Sequence, residues 1–337
     1  MESLVSIKGL KTQFFLDEGL VTAVDGVDLD IPKGQTLGLV GESGCGKSVM
    51  ALSILNMVSD PGRISGGQVI LHRAGGDLIL TDLDDDGPQI RDIRGREIAM
   101  IFQEPMTSLS PVHTVGSQVM EAIRLHTDLT KDQARAHTIR MMERVGLPDA
   151  ARRFKAYPHQ LSGGLRQRIM IAMALSCRPS LLIADEPTTA LDVTIQAQIL
   201  VLMQKLQEEL QASILLITHD LGVVAQMAHQ VAVMYLGRVV EQAATRTIFS
   251  RPRHPYTQAL LRSIPGRGAG RQARLKTIKG TVPDPLAAIA GCPFHPRCDE
   301  ARAGLCDLGR RPPLKEVEPG HKTACLLQHQ APGAKNG

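Results

Sequence analysis

The chain has 337 residues, 43% hydrophobic and 21% charged, which gives an ordinary globular protein a sizeable core without disulfide staples. The N-terminal MESLVSIKGL shows no cationic stretch leading into an apolar run, and the longest apolar runs, such as 169–177, fall short of the roughly 18–20 residues that a membrane span needs, so neither a secretory signal nor a transmembrane helix is expected. The net charge of +4 is uneven: from residue 251 onward 15 Lys and Arg face 6 Asp and Glu, while the preceding 250 residues carry 23 against 28. Such a basic tail can touch nucleic acid, anionic headgroups or an acidic partner, but its charges are spread among Pro and Gly and read better as a solvated surface. The six cysteines, with Cys45 and Cys177 far from the rest, argue against a secreted disulfide scaffold.

Residues 4–40 alternate as β structure, with a turn signal at Pro32-Lys33-Gly34. A helix is predicted over 47–58, a turn over 60–67 and a hairpin over 68–80. The apolar spacing between about 112 and 178 is helical. Two short apolar strands, 180–185 and 212–218, flank a helix at 195–210, which predicts a parallel sheet covered on both faces. The Pro-, Gly- and cation-rich stretch 264–291 reads as a linker or loosely folded wrap.

GESGCGKS at 41–48 follows an apolar strand and opens a helix, the context in which such a segment cradles phosphates. Gly41, Gly44 and Gly46 let the loop, with Ser43 and Cys45, turn its amides inward; Lys47 supplies charge for the β- and γ-phosphates and the Ser48 hydroxyl can ligate Mg²⁺. LLIADEP at 181–187 places Asp185 at a strand's C-terminal edge, suited to hold Mg²⁺, and Glu186 next to it, suited as general base.

LSGGLRQR at 161–168 stands between the loop and the acidic strand, and on it the chain resembles the ABC-transporter ATPases over residues 4–250. The resemblance implies an α/β fold: a P-loop NTPase domain with a mostly parallel core sheet, an antiparallel β subdomain and a helical subdomain at about 105–168. It also implies roles for Gln103 (γ-phosphate and Mg²⁺ sensing), Asp192 (facing a dimer partner) and His219 (γ-phosphate contact). Ser162, Gly163 and Gly164 would bind the γ-phosphate of a nucleotide held by another subunit, and Phe14, with Phe15 beside it, would stack on adenine. Leu165 replaces the Gln usual at the fifth signature position, as is common in the peptide-importer branch.

The tail, 251–337, resembles the extension of dipeptide and oligopeptide importer ATPases through RPRHPYTQALLRSIP (251–265) and GCPFHPRC (291–298). Cys292, Cys298, Cys306 and Cys325 suit a metal site; the resemblance favours a [4Fe–4S] cluster, with zinc and free thiols remaining open. The expected whole is an ATP- and Mg²⁺-dependent subunit at the cytoplasmic face of a membrane, driving import of peptides or similar small solutes. Its partners would be a second ATPase (self or paralogue) head to tail, two permeases and an extracytoplasmic solute-binding protein, with no nucleic acid. The alternative is a soluble ABC ATPase of DNA repair or translation.

Overall fold

The computed structural model describes residues 2–103, 108–189, 191–263, 278–284, 286–287 and 289–329. In chain order it forms β1 (Ser3–Leu16), β2 (Gly19–Pro32), β3 (Thr36–Val40), α1 (Lys47–Ile54), β4 (Gly62–Leu71), β5 (Leu78–Ile79), α2 (Pro88–Arg96) and β6 (Ile98–Ile101). There follow α3 (Val115–His126), α4 (Lys131–Arg144), α5 (Ala150–Arg153), α6 (Gly163–Leu175), β7 (Leu181–Asp185), α7 (Val193–Leu210), β8 (Ser213–Thr218) and α8 (Leu221–Met227). The last are β9 (Gln230–Tyr235), β10 (Arg238–Ala244), α9 (Thr245–Ser250), α10 (Pro255–Arg262), a 3₁₀ turn at His295–Arg297, β11 (Lys315–Glu318) and β12 (His321–Thr323). Among the described residues no helix is long and apolar enough to cross a membrane.

Two compact units emerge, one of residues Met1–Val5, Asp30–Thr36 and Ile70–Ile217, the other of Ser6–Leu29, Leu37–Val69 and Thr218–Gly337. In the first, β6, β7 and β8 run parallel, Ile98 opposite Leu181 and Leu181 opposite Ser213. Every residue of β7 and β8 is buried, so their unbroken apolar runs are those of strands covered on both faces, as the strand–helix–strand spacing predicts. The Asp192 carboxylate accepts the Ile195 amide at 2.9 Å and so sets the start of the crossover helix α7. The helical stretch resolves into α3 to α6. α4 is opened by a reciprocal capping box between Thr130 and Gln133.

The second unit holds the order β11-β12-β10-β9-β3. β3 and β9 are parallel, and β9, β10, β12 and β11 are successively antiparallel. No element was anticipated for β9 and β10, because apolar runs as short as VAVMY carry no usable periodicity. Of the turn expected over 60–67 only residues 60–61 turn, and Gly62 onward starts β4: Gly67, at φ +81°, approaches so closely that a β-carbon would lie 2.3 Å from the Gly9 carbonyl oxygen. The core of this unit gathers Val40, Val233, Tyr235, Tyr256, Leu261 and Phe294, with Ile278, Cys292 and Cys298 packed against it. The C-terminal segment is thus part of the core that carries β3 and the loop after it. Of the expected linker 264–291, residues 264–277, 285 and 288 lie outside the described residues, as do 105–107 of the helical stretch.

Candidate functional site

β3 ends at Val40 and α1 starts at Lys47, so residues 41–46 form the whole connection. A β-carbon at Gly41 would lie 2.2 Å from the Met234 carbonyl oxygen, and one at Gly46, where φ is +99°, 2.1 Å from that of Ala23. Those two close approaches wedge the loop between neighbouring backbones just before α1, a helix start being the setting in which backbone amides can receive phosphate. Lys47, 6% exposed, donates from Nζ to the carbonyls of Gly41 and Glu42 at 2.9 and 3.0 Å. A phosphate oxygen is a stronger, charged acceptor for that donor. Burial pushes the Cys45 thiol above its ordinary range despite the nearby ammonium, which leaves it unreactive.

Glu42 completes the loop in a way the sequence reading missed. Its amide donates to Tyr256 Oη at 2.9 Å, and its carboxylate takes both terminal nitrogens of Arg297, at 2.7 and 3.0 Å. Tyr256 and Arg297 each stand more than 200 positions from Glu42, so no local signal could have paired them with it.

In the other unit Asp185, 3% exposed, closes β7, and Glu186 follows with φ +47°. A positive φ is costly for glutamate and is typical of residues held for function. The Glu186 amide donates to the Ile217 carbonyl at 2.8 Å, and its Oε2 accepts Gln103 Nε2 at 3.2 Å and Thr189 Oγ1 at 2.9 Å. Gln103 lies just beyond β6, the parallel neighbour of β7, so topology brings together two residues that stand 83 positions apart. Thr189 was not anticipated; the ADEPTT run held the only hint.

Ser162 and Gly163 are exposed at the start of α6, Gly164 following half-buried, and Ser162 makes no capping bond of its own. Asp192, expected to face a dimer partner, has a carboxylate engaged in capping α7. His219 follows β8 immediately, and its neighbour Asp220 caps α8 by accepting the Gly222 amide at 2.7 Å. Phe14 is half-buried, its ring in the space a β-carbon at Gly62 would claim, whereas Phe15 is exposed with the Arg63 guanidinium 4.0 Å above its ring.

The cysteine site needs correction. Among the described residues no three His, Cys, Asp or Glu side chains form a group that could hold a metal ion, and Cys292, Cys298, Cys306 and Cys325 are free. The residues as arranged therefore give the expected [4Fe–4S] cluster no support. Two of the thiols serve packing, Cys292 and Cys298 lying against the aromatic core, while Cys306 Sγ accepts the Arg302 amide at 3.4 Å. Burial pushes the Cys298 and Cys325 thiols up to about 11, which keeps them protonated at neutral pH.

A Gly-rich loop between strand and helix, an Asp-Glu pair at another strand's end and a Ser-Gly-Gly helix start define an ATPase of the ATP-binding-cassette class. Residues 24–189 match the ABC transporter family, and residues 240–306 match the C-terminal region of oligopeptide/dipeptide transporters. The chain is 50% identical to the probable peptide ABC transporter ATP-binding protein y4tR of Sinorhizobium fredii, over 97% of this chain and 96% of that one. It is 48% identical to the oligopeptide transport ATP-binding protein AppD of Bacillus subtilis, over 98% of each. Against OppD of Escherichia coli the identity is 44%, over 96% and 93%. Among solved structures it is similar to the ATP-binding cassette MJ0796 bound to ADP and Pi, with a TM-score of 0.63 and 28% identity over 72% of this chain and 99% of that one. The chain belongs to the family of ATP-binding proteins of oligopeptide and dipeptide ABC transporters.

Proposed function

We propose that the chain is the ATP-hydrolysing subunit that energises a peptide importer. The observation that carries the chemistry is Glu186, held by Gln103 and Thr189 directly after Asp185 at the end of a buried parallel strand. The amides of Ser43, Gly44, Cys45 and Gly46, with Lys47 and Ser48, receive the phosphates, and Phe14 stacks on adenine. Glu186 takes a proton from the attacking water as its oxygen bonds to the γ-phosphorus and the bond to the ADP oxygen breaks. His219 steadies the γ-phosphate. Ser48, Gln103 and Asp185 offer hydroxyl, amide and carboxylate oxygens, the donor chemistry Mg²⁺ prefers, and would hold it. When bound, the ion neutralises charge on the β- and γ-phosphate oxygens.

Phosphoryl transfer rests on positioning and electrostatic stabilisation, so the outer side of the γ-phosphate must be closed. Ser162, Gly163 and Gly164, at a helix start whose first two residues are exposed, are suited to close it over the nucleotide of a second subunit, self or paralogue, head to tail. The dimeric state of MJ0796 supports that arrangement. Residues 1–250 then form the cassette and 251–337 the extension, the helical stretch gripping one of two permeases at the cytoplasmic face, with an extracytoplasmic solute-binding protein delivering cargo. A [4Fe–4S] cluster has no part in this reading. The alternative of a DNA-repair or translation ATPase is set aside, because y4tR, AppD and OppD are named for peptide transport and match nearly end to end.

Glu186→Gln tests the chemistry: ATP binding persists while turnover falls by about 10² to 10⁴. Turnover at the parental rate would remove Glu186 from the role of base.

A further inference from the structure

Glu42 is an awkward tenant for a phosphate loop. Its carboxylate sits within the segment whose amides must receive a triphosphate, and an uncompensated negative charge there would repel the nucleotide. The structure compensates it from the far end of the chain. Arg297, in the 3₁₀ turn of HPRC and 5% exposed in its side chain, meets the carboxylate with both terminal nitrogens, at 2.7 and 3.0 Å. The other donors of the guanidinium go to the carbonyls of Lys279 and Gly280 at 2.9 and 3.4 Å and to Tyr235 Oη at 3.4 Å. Its fork is therefore fixed on five acceptors, and the Glu42 contact raises its already high pKa further. The Glu42 backbone is gripped as well: its amide by Tyr256 Oη at 2.9 Å, its carbonyl by the Cys45 amide at 3.3 Å and by Lys47 Nζ at 3.0 Å.

We propose that Arg297 is a positioning residue for the phosphate loop: by binding and neutralising the Glu42 carboxylate it keeps the loop attractive and pre-shaped for a triphosphate. On this view the C-terminal extension acts on nucleotide affinity, because one of its arginines completes the electrostatics of a loop formed some 250 residues earlier. The inference rests on the reading of residues 41–48 as the ATP-binding loop.

The test uses the full chain, with Mg·ATP as probe, measuring the dissociation constant and, in the assembled transporter, KM and kcat for ATP. Arg297→Met is expected to weaken Mg·ATP by about tenfold and raise KM alike, with kcat at saturating ATP largely kept. Adding Glu42→Gln to Arg297→Met removes the uncovered charge and is expected to recover most of the loss, an interaction that a purely structural arginine would not show. Arg297→Lys, which leaves a cation in the same cavity and thereby protects folding, is expected to lose about threefold, again recovered by Glu42→Gln. Parental affinity in Arg297→Lys and Arg297→Met overturns the proposal, and so does a double variant as weak as the single. Lys47→Ala is the control for the underlying reading: if it binds Mg·ATP normally, the loop is not the nucleotide site, whereas loss there with no effect at Arg297 refutes the positioning role alone.

Discussion

His254 shows how one residue ties α10 to β10 and to pH. Its imidazole Nδ1 accepts the Tyr256 amide at 3.1 Å as the cap of α10, and its amide donates to Glu241 at 2.9 Å. Complete burial lowers its pKa from 6.5 to about 4, with the Glu241 charge opposing the shift only in part. The unfolded chain therefore takes up this proton near pH 6.5 and the folded one only near pH 4. Between those values the unfolded state binds more protons, so stability is full above about pH 6.5 and falls as the pH drops toward 4, by at most about 3 kcal/mol. Urea midpoints measured from pH 7.5 to 4.5 are expected to show this slope in the parent. In His254→Asn, which can still cap but does not titrate, the slope should be shallower; an equal slope in both would assign the pH dependence elsewhere. Thr189 is the second such residue. Its hydroxyl donates to Glu186 Oε2 beside Gln103 Nε2, so Thr189→Val is expected to lower kcat by roughly tenfold with ATP affinity unchanged, read by steady-state kinetics beside a binding isotherm.

At the scale of elements, the helical stretch depends on local chemistry at its ends and on one close approach. The Thr130 hydroxyl accepts the Gln133 amide at 3.4 Å, and the Gln133 side chain accepts the Thr130 amide at 2.9 Å. Thr130→Ala is expected to cost about 1 kcal/mol, visible as a lower midpoint in chemical denaturation. Gly116 on α3 poses the harder constraint: a β-carbon there would lie 2.4 Å from the Phe154 ring and 2.5 Å from its carbonyl oxygen. The Gly116 amide also donates to that carbonyl at 3.1 Å, so the backbone has little freedom to retreat. Gly116→Ala should therefore destabilise by about 1–3 kcal/mol despite its better helix propensity. A gain in midpoint would show that the contact yields.

At the scale of the whole molecule, described residues after position 250, among them Tyr256, Leu261 and Phe294, belong to the core of their unit. Phe294 is 2% exposed, with ring centroids 5.3 Å from both Tyr235 and Tyr256. Glu241 on β10 is fully buried, and its carboxylate takes the amides of Arg253 and His254 and the His321 imidazole, all from beyond residue 250. Phe294→Ala is expected to cost about 3–5 kcal/mol and to hasten proteolysis of the extension. A midpoint within error of the parent would mean that the extension rides on the cassette without sharing its core. The surplus positive charge of the tail finds a partial explanation here, since Arg297 and Arg311 face Glu42 and Asp25 of the preceding segment.

What the sequence determined alone is whatever depends on contiguous residues. The strand, Gly-rich loop and helix of residues 36–54 were legible because the glycines and the Lys47 that opens α1 are contiguous in GESGCGKS. Strands β7 and β8 and the helix between them were legible because full burial writes itself as unbroken apolar runs. The cap of α4 is equally local, Thr130 and Gln133 standing three residues apart, although no expectation named it. Tertiary structure alone decided the rest. Gln103 reaches Glu186 because two parallel strands lie side by side, and Arg297 reaches Glu42 because an aromatic core draws the extension onto the loop. The cysteines make the same point from the opposite side: four thiols within 34 residues suggest a cluster by composition, yet Cys292 and Cys298 lie packed against an aromatic core that their spacing does not encode. Spacing along a chain encodes local geometry, whereas contacts between distant residues arise only when burial and topology have placed both partners.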